Sequence, residues 1–105
     1  MGERRQALRV DVNIPTRWEG ASMMHEGTIS SLSRNGCFLL TGGRVEPKEL
    51  VRVEVQIPNE EPLFLWGEVV DEAFEIGFAV RFNPFDEEEH QRLIRFVDQK
   101  LSEPK

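Results

Sequence analysis

Apolar and polar residues alternate with period two through most of this chain. In LVRVEVQI, Val51, Val53, Val55 and Ile57 fall on one face while Arg52, Glu54 and Gln56 fall on the other. A strand with one buried face produces that pattern, because successive side chains of an extended backbone point to opposite sides. The same period runs through EIGFAVRF, with Ile76, Phe78, Val80 and Phe82 inward. It also runs through LRVDVNI, with Leu8, Val10, Val12 and Ile14 inward, which turns Arg9 and Asp11 away from the core. Further strands are predicted at HEGTIS and CFLL. LFLWGEVV is apolar on both faces, which predicts a central strand or one covered by another element. Glu19 to Gly20, SRNG, TGG, PNEEP and EAFE supply the turns.

The period changes at NPFDEEEHQRLIRFVDQKL. There Asp86 followed by Glu89 predicts a helix N-cap with a capping-box partner, and Leu93, Ile94, Val97 and Leu101 form one apolar stripe. The acidic run Asp86 to Glu89 is then a solvated first helical turn favoured by the helix dipole, and no metal site is read from it. Six short strands and one helix predict an all-β fold, a six-stranded antiparallel β-barrel with a C-terminal α-helix packed over part of it; closure removes exposed sheet edges. A length of 105 residues suits one domain. The expected organisation is a single unit over 1–105, with a flexible arginine tail at 1–9, the barrel over 8–82 and the helix over 86–101.

Candidate chemistry is sparse and excludes whole classes. His25 and His90 are the two histidines and stand far apart, with no acidic partner at a recognisable spacing. The single cysteine, Cys37, lies in an apolar strand segment, where a buried inert thiol is expected. Neither a catalytic nucleophile with its base nor a zinc ligand set emerges, so an enzyme is not expected, nor a metal or cofactor. Trp18 and Trp66 are read as core. No apolar run approaches the roughly 20 residues a membrane-spanning helix needs, and no secretory leader is evident, so a cytoplasmic protein is expected. The 19 acidic residues outnumber 13 basic ones, a formal charge of −6, and there is no tyrosine. That balance argues against an oligonucleotide-binding barrel and against an anionic membrane surface, both of which recruit broad positive patches.

Against this acidic background the opening stretch stands out. Residues 1–9 carry Arg4, Arg5 and Arg9 against Glu3 alone. Guanidinium groups can fork onto phosphate oxygens or onto the N7 and O6 acceptors of guanine. The second unusual place is SLSRNG, a tight turn between two strands with hydroxyls at Ser31 and Ser33.

Arg5-Gln6-Ala7-Leu8-Arg9 and Ser31-Leu32-Ser33-Arg34-Asn35-Gly36, followed by GEVV, IGFAVRF and a helix, resemble the PilZ domain, a bacterial receptor for cyclic di-GMP. The resemblance covers nearly the whole chain. The family's two motifs are RxxxR near the N-terminus and [D/N]xSxxG on the turn between the second and third strands. The first is complete here, and the second departs at Ser31, where the family prefers Asp or Asn. The resemblance implies a split-barrel type of fold whose arginine tail wraps over the bound dinucleotide. It implies ligand contacts at Arg4, Arg5, Arg9, Ser31, Ser33 and Gly36, with Arg4 at the position that helps set how many nucleotides bind. Exchanging a charged acceptor at 31 for a neutral hydroxyl is expected to weaken binding about tenfold. With no second domain to serve as output, a bound nucleotide is expected to be read by an unidentified protein effector as the tail becomes ordered. A monomer or weak dimer is expected, with no nucleic acid and no membrane as partner. The alternative is a PilZ-like adaptor that binds no nucleotide and works through protein contacts.

Overall fold

The computed structural model describes residues 8–21, 23–42, 45–73, 75–83 and 86–103. Six strands form where the alternating segments lie: β1 (Val10–Glu19), β2 (Met24–Leu32), β3 (Gly36–Leu40), β4 (Leu50–Val55), β5 (Leu63–Ala73) and β6 (Gly77–Phe82), followed by the helix α1 (Glu87–Ser102). The strands pair antiparallel in the order β1-β2-β3-β6-β5-β4 and close on themselves, as the alternation predicts. Inside, Ile29, Leu32, Leu39, Val51, Val53, Val55, Leu63, Val69 and Phe78 are buried to within a few percent of completely. Burying such side chains stabilises the fold by about 1.5–3 kcal/mol each.

The closure is uneven. β1 meets β4 at Trp18↔Val53 and Glu19↔Arg52. Towards its N-terminal end β1 parts from β4, and the Thr16 hydroxyl donates to the Glu54 carbonyl across the join. Beyond that point a cavity of about 840 Å³ opens, lined among others by Val12, Ile14, Ile57, Phe96 and Leu101. This is the split in the barrel, and the C-terminal half of α1 lies beside it.

Several sequence expectations need correction. β1 spans Val10–Glu19, up to the expected turn at Glu19 to Gly20, and Leu8 precedes it, 70% exposed instead of inward. A register shift between Asp11 and Ile14 interrupts the alternation, leaving Val12 and Ile14 only partly buried against the core. Pro15 lies inside β1, paired with Thr28 of β2 and outside the β1–β4 pairs. At the other end of the barrel, β6 begins at Gly77, and Ile76 sits in the turn before it, 57% exposed.

Trp18 is core as expected. Its ring stacks on His25 with centroids 4.3 Å apart and meets Phe78 edge-on, and its Nε1–H donates to Thr41 at 3.1 Å. Trp66 is not core: it lies outside on β5 with Phe64 and Val70, all exposed. Nothing among the described elements covers that face fully, and the Arg52 guanidinium lies 4.4 Å over the Phe64 ring.

In α1 the Asp86 carboxylate accepts from the Glu88 and Glu89 amides, the expected N-cap. The reciprocal arm is not made, since Glu89 Oε1 is buried without a hydrogen-bond partner among the described residues. The buried stripe is Leu93, Phe96 and Val97. Ile94 is only half-buried and Leu101 is exposed, because the last turn overhangs the cavity at the split instead of the barrel wall.

Candidate functional site

Arg9, the second arginine of the first motif, meets the second motif on the outer surface where β1, β2 and β3 run side by side. Val10 pairs with Leu32 and both are buried, so their neighbours Asp11 and Ser31, also paired, fall on the outward face. Arg9 immediately precedes β1 on that same outward alternation. Its Nη1 donates to Ser31 Oγ at 3.3 Å, joining the first motif to the second. Arg4 and Arg5 lie outside the described residues.

The turn itself is built by Ser33. Its side chain is 7% exposed, and its Oγ accepts from the Asn35 amide at 3.1 Å and the Gly36 amide at 3.2 Å. The hydroxyl donates weakly to the Gly36 carbonyl, which in turn accepts from the Ser33 amide at 2.9 Å. This hydroxyl is engaged inside the turn, which it holds shut. Gly36 is required on steric grounds: a Cβ built there would run into the Val80 carbonyl oxygen on β6. The Asn35 carbonyl accepts from the Phe82 amide at 2.7 Å, so the turn is tied to β6 as well as to its own strands.

Arg9, Ser33, Asn35 and Gly36 line a cavity of about 330 Å³ whose other walls are Cys37, Val70, Ala79, Val80 and Arg81. That volume is at the low end of the range for small-ligand sites, about 300–1,000 Å³. The cavity at the split is larger and has charged and polar walls of its own, Asp11, Asn13, Gln56, Asn59, Lys100 and Glu103, but of the motif residues it takes only Arg9, whereas Arg9, Ser33 and Gly36 all line the smaller one. Arg81 pairs with Glu68 across β5 and β6, which fixes its guanidinium beside the turn. Arg34, at the crest of the turn, reaches Asp98 on α1 at 3.3 Å.

Cys37 lies directly beneath. Burial pushes its thiol from 9.0 up to about 12, and the nearby Arg9 guanidinium opposes the shift weakly. It is a free, buried thiol, as the sequence suggested. His25 is held in the stack with Trp18, and no group of three or more His, Cys, Asp or Glu among the described residues is placed to hold a metal ion. No helix among the described residues is long and apolar enough to cross a membrane.

Sequence reasoning brought Arg9, Ser31, Ser33 and Gly36 to one place and missed Arg81 and Val70. The period of two put Arg81 on an outward face, but it could not show that β6 lies next to β3, where Arg81 stands opposite Gly36.

Comparison with known proteins gives a consistent picture. A family model described as PilZ domain matches residues 3–99. Among solved structures, the chain is similar to the PilZ domain of CeSA from a cellulose-synthesizing bacterium, with a TM-score of 0.72 and 18% identity over 89% of this chain and 97% of that one. It is similar to the PilZ domain with c-di-GMP of YcgR from Escherichia coli, with a TM-score of 0.74 and 11% identity over 94% and 92%. It is also similar to the Bacillus subtilis inhibitor of motility MotI/DgrA, with a TM-score of 0.70 and 15% identity over 94% of this chain but 51% of that one, about half its length. At such identities the likeness to these structures speaks for the fold alone. A search of curated proteins returns no match.

Proposed function

The chain belongs to the PilZ domain family, and from that premise we propose that it is a receptor for cyclic di-GMP that acts by binding and not by catalysis. The observation that carries this reading is the hydrogen bond from Arg9 to Ser31, which brings the second arginine of the RxxxR segment to the SLSRNG turn, beside a cavity that Arg9, Ser33 and Gly36 line. In this mechanism Arg9 forks onto a guanine edge or a phosphate, and Arg4 and Arg5 close over the ligand from the tail. Ser31 and the backbone at Gly36 meet the nucleotide while Ser33 holds the turn in shape. Residues 1–9 act as the clasp of a single module, and a protein effector in the bacterial cytosol reads the clasp when it holds the ligand.

Calorimetric titration with cyclic di-GMP at low salt tests the reading. Binding is expected, and it should weaken as salt rises, because cationic side chains meet ligand phosphates. Arg9→Ala should weaken binding by at least about tenfold without lowering the melting temperature, since Arg9 is exposed and its hydrogen bond to Ser31 lies on the outer face. The departure at Ser31 favours one competing reading, an adaptor that has given up the nucleotide. No heat and no thermal shift up to about 100 μM ligand, a weak-binding ceiling in affinity terms, would establish that reading instead.

A further inference from the structure

We infer that Asp11, not Ser31, supplies the carboxylate that reads guanine in this protein. The inference rests on the nucleotide-binding reading above and adds to it the residue that decides which base is accepted.

Three observations converge. Asp11 and Ser31 are direct partners in the β1–β2 ladder. Directly opposed residues project to the same face with Cβ atoms about 4.5–5.5 Å apart. A carboxylate on Asp11 is therefore delivered, from the neighbouring strand, to the place that a longer acidic side chain at 31 would fill. Second, Arg9 and Asp11 are two apart on an extended segment, both exposed, with buried Val10 between them. They share a face at a separation of about 6.5 Å along the backbone. Third, Arg9 already bonds Ser31 on that face, and no ion pair among the described residues engages the Asp11 carboxylate.

The chemistry of guanine fits this pair. One part of its edge offers the O6 and N7 acceptors, which match the donor fork of an arginine. The adjoining part offers the N1–H and the 2-amino group, two donors that a carboxylate accepts side by side. A donor fork at 9 and an acceptor fork at 11 thus present both halves of a guanine-reading surface on one strand. The hydroxyl at Ser31 lies beside them, already accepting from Arg9 and holding that guanidinium in place. Adenine offers an amino donor where guanine has O6 and has no N1–H, so it would meet donor against donor at Arg9 and an unmatched carboxylate at Asp11.

Titration of the full chain with cyclic di-GMP and with its inosine analogue, which lacks the 2-amino group, tests the assignment. The unaltered protein should prefer cyclic di-GMP by about tenfold. In Asp11→Ala and Asp11→Asn, affinity for cyclic di-GMP should fall about tenfold while affinity for the inosine analogue falls less, so the preference collapses. Adding Ser31→Asp to Asp11→Ala should restore both affinity and preference. Ser31→Asp alone should not tighten binding, because two carboxylates would then face each other across the ladder. Asp11 is exposed, so thermal melts of these variants should match the parent. If the unaltered protein binds and Asp11→Ala binds cyclic di-GMP equally well, or loses both ligands by the same factor, the assignment is overturned and the receptor reading stands. If the unaltered protein binds neither ligand, both are overturned.

Discussion

Cys37 illustrates how a buried side chain beside a site can be silent in function and still be measurable. Its thiol is neutral in the folded protein up to about pH 12, whereas in the unfolded chain it ionises near 9.0. The folded-state value is raised, so the stability it carries is complete below about pH 9 and is lost as pH climbs from there towards 12. The loss should run at about 1.4 kcal/mol per pH unit within that window. Denaturant melts at pH 8 and pH 10.5 should show the parent losing about 2 kcal/mol more than Cys37→Val, which has no proton to release. Equal losses in the two proteins would show that the thiol is not the titrating group. At this scale the sequence was informative about orientation. Period two placed Arg9 and Asp11 outward, the apolar segment CFLL marked Cys37 as buried, and all three stand so. It could not assign Trp66, because an aromatic residue on a strand of a closed barrel faces in or out according to strand phase, and β5 is apolar on both faces. Nor could it show that the Ser33 hydroxyl is consumed by its own turn, which depends on backbone geometry at Asn35 and Gly36.

Among the elements, turn and cap chemistry divide sharply in cost. The Asp86 N-cap satisfies amides at an exposed helix end, and Asp86→Ala should lower stability by about 1 kcal/mol. Gly36→Ala acts on the β3–β6 ladder, where the added methyl meets backbone that cannot swing aside as a side chain would. It should cost about 3 kcal/mol, at the upper end for overpacking, and loosen the turn that walls the cavity. Thermal melts of the two variants give the comparison; a Gly36→Ala protein as stable as Asp86→Ala would mean that β3 and β6 separate locally at little expense. The elements themselves were legible, all six strands and the helix, but their ends were not. β1 was read as inward from Leu8 and β6 from Ile76, whereas β1 begins at Val10 and β6 at Gly77, with Leu8 and Ile76 both exposed. The helix stripe was misread at three positions, with Phe96 in, Ile94 half-buried and Leu101 out, since an apolar pattern gives the face of a helix but not how far along it the barrel wall extends.

For the whole molecule, the barrel was legible as a class and its neighbour relations were not. Hairpin logic gives β1-β2-β3 and β4-β5-β6, whereas the meeting of β3 with β6 and of β1 with β4 follows from closure. Those relations decide the site, because they bring Arg81 to Gly36 and leave the split beside β1. The acidic charge of −6 also acts at this scale, repelling polyanions in general while the arginines at the N-terminal end offer one local exception. The split has a further consequence in time. Where β1 runs from Val10 to Pro15 it is laddered to β2 but not to β4, so this stretch should be the first part of the wall to open in native-state fluctuations. Amide hydrogens in peptides covering 10–15 should exchange with deuterium well before those of Val51–Val55, which lie deep in the β4–β5 ladder. A nucleotide gripped at Arg9, as proposed above, would hold the head of that same strand, and its arrival should slow exchange there while leaving β4 and β5 unchanged. The loose seam of the barrel would then serve as its recording surface, the place where occupancy of the outer site is converted into a lifetime of the backbone.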